Sequence, residues 1–278
     1  MTGCRSNRAD ALDRSGRSAP GFTAHRGESH DAPENTLAAF RLAWQRGIKT
    51  VELDVRLSAD GQLIVCHDAD TFRTTGQRLV IAETTCADLQ RLDAGSWKGP
   101  EWAGERIPVL DEALTELPKD CTYWIEIKSG PETARPLADA LTRSGVEADR
   151  AVIISFSDDA LHAFHAVAPA YSTQLISGFR RTSTAYGWEP TIEDLIGRAQ
   201  RLGASSIGVH FDGPLSVETC DGVHAAGLAV CVWTVDDIAL GRHLASLGVD
   251  VITSNRAAWL REAMQCSMGP NVPQEEPT

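Results

Sequence analysis

Residues 50–68 read TVELDVRLSADGQLIVCHD, a strand-like run followed by a second apolar run. In TVELDVRL the carboxylates Glu52 and Asp54 alternate with Val51, Leu53 and Val55, so a period of two puts both acids on one face and the aliphatics on the other. Asp60-Gly61 then stands between two strand-like runs, a strong short-range hairpin signal. If that pair is a two-residue turn, Ala59 faces Gln62 and Asp54 lies across from His67.

Outward from this stretch, short runs rich in Val, Ile and Tyr alternate with helix-like segments from residue 21 to about 262. The strand candidates are 21–25 (GFTAH), 50–55, 122–127 (TYWIEI), 151–156 (AVIISF), 172–177 (STQLIS), 206–210 (SIGVH), 229–234 (AVCVWT) and 249–254 (VDVITS). Between them lie helix candidates such as ENTLAAFRLAWQRG, in which Leu37, Phe40 and Trp44 share a face and Gly47 stops the turn. Eight β-α pairs with no Gly-rich dinucleotide fingerprint predict an α/β fold, a (β/α)8 TIM barrel with a β-hairpin after strand two. The irregular stretch 69–105 is expected to be an inserted loop over one barrel mouth, carrying one short helix candidate, CADLQRL.

Length alone does not choose between one domain and two. The chain has 278 residues, and α/β barrels run to roughly 250 as one unit. Its 26 basic and 38 acidic residues leave a net charge of −12, a field that repels nucleic acid and anionic membrane surfaces. No run approaches the ~20 apolar residues of a membrane span, so no stable membrane insertion is expected. Residues 1–20 lack the apolar stretch of a signal peptide, and the seven cysteines form an odd set without a C-x-x-C pair, which together suggest a cytoplasmic protein with reduced thiols. Residues 1–20 and 266–278 read as flexible ends around a barrel domain over 21–265.

The chemistry gathers at strand ends. In TYWIEIK, Glu126 and Lys128 alternate with Ile125 and Ile127, bringing a third carboxylate to the end of the next barrel strand. His25 closes the first strand and His67 follows the hairpin, so two imidazoles flank Glu52, Asp54 and Glu126. Three carboxylates suit one divalent cation, Mg2+ or Ca2+, and two histidines can exchange the roles of general base and general acid. Arg26 and Lys128 are cationic clamps for an anionic oxygen, and Trp233, near a strand end, is either barrel packing or a substrate wall. For Lys128 the alternative is a structural ion pair with Glu126 or a neighbouring acid. Cation, imidazole pair and clamp together describe attack at a phosphoryl centre.

These motifs, in order HRGESHDAPENTLAAF, VELDVRLSADGQLIVCHD with FRTTG, IPVLDEAL, WIEIK, ISF, VWTV and GVDVITSN, resemble those of the glycerophosphodiester phosphodiesterases from about 22 to 262. The resemblance implies a phosphatidylinositol-phospholipase-C-like barrel that hydrolyses glycerophosphodiesters to glycerol 3-phosphate and an alcohol. It also implies that His25 and His67 are the acid/base pair, that Glu52, Asp54 and Glu126 hold the ion, and that Arg26 contacts phosphate. Lys128 matches the lysine after the third metal ligand, Glu34 and Asn35 match the PENT segment, and Asp68 can orient an imidazole. One departure stands at the terminal motif, where Thr253-Ser254-Asn255-Arg256-Ala257 replaces Thr-Asp or Thr-Asn followed by a basic residue and Pro. The alternatives are a phospholipase-D-like enzyme on lysolipids or sphingolipids, and a non-catalytic barrel that binds a phosphodiester.

Overall fold

Eight strand-like runs pair in parallel and close on themselves in the computed structural model, which describes residues 19–183 and 187–266. They are β1 (Gly21–Ala24), β2 (Thr50–Leu57), β4 (Thr122–Ile127), β5 (Ala151–Ser155), β6 (Ser172–Ser177), β9 (Ser206–His210), β10 (Ala229–Trp233) and β11 (Val251–Ser254). Each pairs with the next, and β11 returns to β1 with Gly21 opposite Val251, so the sheet is the predicted (β/α)8 barrel. The hairpin partner β3 (Leu63–Val65) runs antiparallel to β2, and a two-residue pair, β7 (Arg180–Arg181) with β8 (Trp188–Glu189), decorates the loop after β6.

Helices α1 (Leu37–Gln45), α4 (Leu110–Glu116), α5 (Ala134–Arg143), α6 (Asp158–Val167), α7 (Ile192–Leu202), α8 (Val217–Ala225), α9 (Ile238–Leu247) and α10 (Ala257–Cys266) surround the barrel. Two single-turn helices, α2 (Phe72–Thr75) and α3 (Cys86–Leu89), lie in the inserted segment. Side-chain oxygens of Thr36, Ser157, Thr191, Ser216 and Asp237 cap helix N-termini, each accepting from a backbone N–H three residues on. Among the described residues, no helix is long and apolar enough to cross a membrane.

Strand alternation divides the interior in two. Val51, Leu53, Val55, Tyr123, Ile125 and Ile153 face outward into the layer beneath the helices, where Phe40 of α1 and Leu137 of α5 join them, all fully buried. Residues between these positions point into the barrel. The inserted segment has a small core of its own, Ile81, Leu89, Leu92, Ala94 and Ile107, packed on Ile64 and Cys66 of the hairpin.

One expectation is corrected. The hairpin register is shifted by one residue: Val55 faces Val65 and Leu57 faces Leu63, so Asp54 lies opposite Cys66, whose N–H donates to the Asp54 carbonyl at 3.0 Å, and not opposite His67. A two-residue type I′ turn needs positive φ at both central positions, yet here only Gly61 has it, at +75°. The Gly61 N–H donates to the Ser58 carbonyl (3.0 Å) and the Ser58 N–H to Gln62 (2.9 Å), a three-residue loop whose Gly61 forms the bulge. The polar ends, 1–18 and 267–278, with Cys4, lie outside the described residues. Cys66, Cys121, Cys220 and Cys231 are buried thiols outside any disulfide.

Candidate active site

The loop after β1 turns sharply through Arg26 (φ +55°) and Gly27 (φ +82°). Gly27 is required twice over: its φ is left-handed, and a Cβ there would fall 2.6 Å from the Ala39 carbonyl carbon on α1. The turn aims the Arg26 N–H at Glu52 Oε2 (2.8 Å). A second left-handed residue, Asn35 (φ +56°), follows at the start of α1, and its side chain grips Asp54 twice, donating from Nδ2 to Oδ2 (2.8 Å) and accepting the Asp54 N–H (3.2 Å).

Parallel register sets Asp54 beside Glu126, and Glu52 stands one inward position earlier on β2. All three carboxylates are buried, each offering an oxygen within 4.8 Å of the others. Arg26 and Lys128 are the cations nearest them. Arg26 Nε lies 3.2 Å from Asp54 Oδ2, and Lys128 Nζ lies 2.7 Å from Glu126 Oε1 and 3.7 Å from Asp54 Oδ1.

Burial, and then repulsion from Asp54 and Glu126, raise the Glu52 carboxyl well above its ordinary range. Burial and Asp54 lift Glu126 to about 7. Asp54 goes the other way: burial opposes its ionisation, but Arg26, Lys128, His67 and the Asn35 amide outweigh it and hold the carboxyl low. Asp54 Oδ1 is buried and accepts no hydrogen bond. An orphaned carboxylate oxygen among three hard oxygen donors that repel one another fits a divalent cation.

The two histidines are each tied at Nδ1. His25 Nδ1 lies 2.7 Å from Asn255 Oδ1, while Asn255 Nδ2 donates to Asp236 Oδ2 (2.6 Å), so the amide presents its oxygen and the imidazole must donate. Asp236 Oδ1 accepts from the Asn255 N–H and the Ser254 hydroxyl, fixing the loop after β11. His67 Nδ1 donates to Asp68 Oδ1 (2.7 Å). In both rings Nε2 is left for the cavity. Burial, followed by the Arg26 charge, depresses His25 to about 4, and burial lowers His67 as well.

The cavity has a volume of about 110 Å³ and two unlike walls. His25, Arg26, Glu52, His67, Glu126 and Lys128 form the polar one; Ile154, Phe156, Ile176 and Trp233 form the apolar one. Phe156 meets Trp233 edge to face at 5.6 Å, and His210 meets Trp233 edge to face at 5.1 Å. The structure therefore gathers His25, His67, Arg26, Lys128, Trp233, Glu52 and Glu126 around one space, with Asp54 buried beside Glu52 and Glu126 and with Lys128 paired to Glu126. Sequence reasoning missed Gln174, which lines the floor with its Oε1 unpartnered, and the Asn255–Asp236 link, whose only signal was the unusual terminal motif.

Residues 25–258 match the model of the glycerophosphoryl diester phosphodiesterase family. The chain is 41% identical over 143 residues to a glycerophosphodiester phosphodiesterase of Caldanaerobacter subterraneus subsp. tengcongensis, an alignment covering 50% of this chain and 58% of that one. It is 36% identical over 129 residues to one of Bacillus subtilis, covering 44% of each. The chain thus spans about half the length of these curated relatives. A solved phosphodiesterase of Oleispira antarctica, in complex with the product sn-glycerol-3-phosphate, superposes with a TM-score of 0.79 at 30% identity, covering 89% of this chain and 97% of that one.

Proposed function

Since the chain belongs to the glycerophosphoryl diester phosphodiesterase family, we propose that it hydrolyses glycerophosphodiesters to glycerol 3-phosphate and an alcohol, with His25 and His67 as the acid/base pair. The observation that carries this reading is the pair of imidazoles, each with Nδ1 anchored, facing one cavity beside a buried carboxylate triad. Anchoring Nδ1 fixes the tautomer, so Nε2 of a neutral ring takes a proton and Nε2 of a charged ring gives one.

Glu52, Asp54 and Glu126 would hold a divalent cation, Mg2+ or Ca2+, which when bound supplies charge neutralisation at the phosphoryl oxygens. Arg26 Nη1 donates to Glu34, Nε lies 3.2 Å from Asp54 Oδ2 as an ion pair without a hydrogen bond, and Nη2 would reach a phosphate oxygen. One histidine removes the proton of the neighbouring glycerol hydroxyl as its oxygen attacks phosphorus, and the other protonates the departing alkoxide. Water then opens the cyclic phosphate with the proton transfers reversed.

A second reading, a lysolipid substrate, draws on three exposed aromatics: Phe156 at the mouth (45% exposed), with Phe72 (50%) and Trp97 (41%) on the inserted segment. Both readings are tested by one substrate panel. With Mg2+ or Ca2+, glycerophosphocholine, glycerophosphoethanolamine or glycerophosphoglycerol should release glycerol 3-phosphate faster than lysophosphatidylcholine micelles are consumed. Faster turnover of the lysolipid would favour the second reading, and no turnover of any glycerophosphodiester would overturn the first.

A further inference from the structure

Arg73 lies in α2 of the inserted segment, outside the cavity wall, yet its guanidinium joins two carboxylates from separate parts of the chain. Nη1 donates to Glu34 Oε2 (2.6 Å), Nη2 to Glu34 Oε1 (2.8 Å) and Nε to Asp68 Oδ2 (2.7 Å). Each carboxylate leads on to a group of the site. Glu34 Oε1 also accepts from Arg26 Nη1 (2.8 Å), and Asp68 Oδ1 accepts from His67 Nδ1 (2.7 Å). The chain of contacts therefore runs Arg26, Glu34, Arg73, Asp68, His67, with Arg73 as its middle.

We propose that Arg73 is a positioning residue, setting the His67 ring through Asp68 and the Arg26 guanidinium through Glu34. The inference rests on the phosphodiesterase reading. A planar fork with three donors in use suits the task, because it fixes both carboxylate planes at once; a lysine ammonium, a point charge on a flexible stem, fixes neither. Stability alone is a poor account of the arrangement. The Arg73 side chain is 44% exposed, and exposed ion pairs contribute little to folding. Asp68 without Arg73 would be free to swing away from His67 toward solvent, and the imidazole would lose its fixed tautomer.

The test uses Arg73→Ala, Arg73→Lys and Asp68→Asn in the full chain, with kcat and KM on glycerophosphocholine and with 15N–1H spectra of the His67 ring. Arg73→Ala is expected to lower kcat by about 10- to 100-fold, the usual size for loss of an orienting partner, to raise KM through Arg26, and to leave the thermal midpoint within a few degrees. Arg73→Lys should regain only a small part of the kcat. The double variant Arg73→Ala/Asp68→Asn should fall no further in kcat than Asp68→Asn alone, since both lie on one path. In Arg73→Ala and Asp68→Asn the His67 Nδ1 signal should leave the position of a hydrogen-bonded donor. A kcat within about twofold of wild type, losses that multiply in the double variant, or an unchanged His67 signal would overturn the proposal. If Arg73→Ala fails to fold, Arg73→Lys and Asp68→Asn decide in the same way. A wild-type protein that turns over no glycerophosphodiester would count against the phosphodiesterase reading, and the His67 spectra would still judge the relay.

Discussion

Divalent-ion binding should be steeply pH-dependent, and the structure gives the direction and the size. Glu126 is buried beside Asp54 and holds its proton up to about 7, against an ordinary value of 4.5. An ion needs this carboxylate deprotonated, so below about pH 7 binding displaces a proton and affinity falls by up to about tenfold per pH unit. Between about pH 8 and about pH 6, Glu126 alone accounts for roughly a tenfold loss, and Glu52, also raised, adds to it. The metal-free protein should show the opposite trend. A carboxyl whose folded value is raised contributes stability that is fully present below its ordinary value and is lost as pH rises through about 7, here on the order of 3 kcal/mol. Titration calorimetry with Mg2+ or Ca2+ in buffers of different ionisation enthalpy measures affinity and released protons together. An affinity that is flat from about pH 6 to about pH 8, with no proton release, would mean that the ion displaces no proton from Glu126.

Other substitutions give separable outcomes. His25→Ala and His67→Ala should each lower kcat by about 10²- to 10⁴-fold without unfolding the barrel, and near-normal turnover in either would remove that ring from the mechanism. Asn35→Ala takes both hydrogen bonds from Asp54 and should weaken divalent-ion affinity by about 10- to 100-fold, read by the same calorimetry. Gly27→Ala drives a Cβ into the backbone of α1 at a left-handed φ and should destabilise by at least about 1–3 kcal/mol, seen as a lower thermal midpoint.

Much of the barrel was legible because its signal is local. Strands β4, β6 and β9 begin and end where alternation and β-branched residues say they should, and helix stops at Gly203 and Gly248 take the left-handed conformation that glycine permits. The hairpin register was less legible, because Asp-Gly serves both a two-residue turn and a bulged three-residue loop; Ser58, whose Oγ accepts the Gln62 N–H, tips the balance. Helices α2, α4 and α10 were not among the expected helices; the inserted segment offered one short candidate, CADLQRL, which is α3. α4 is only seven residues long and lies within IPVLDEAL, which drew notice for its motif. The acids and imidazoles of the site stood out in the sequence because buried charge at strand ends is unusual. Their supports did not: His25 and Asn255 are 230 residues apart, and only closure of β11 onto β1 brings them together. Arg73 and Glu34, 39 residues apart, meet only after the inserted segment folds back over the mouth.

Hydrolysis of glycerophosphocholine in 18O-enriched water, followed by 31P NMR, distinguishes attack at phosphorus with release of glycerol 3-phosphate from cleavage at the choline carbon. Attack at phosphorus gives glycerol 3-phosphate with one 18O on phosphorus and choline without label. Label in the choline, or phosphocholine with free glycerol as the products, would contradict it.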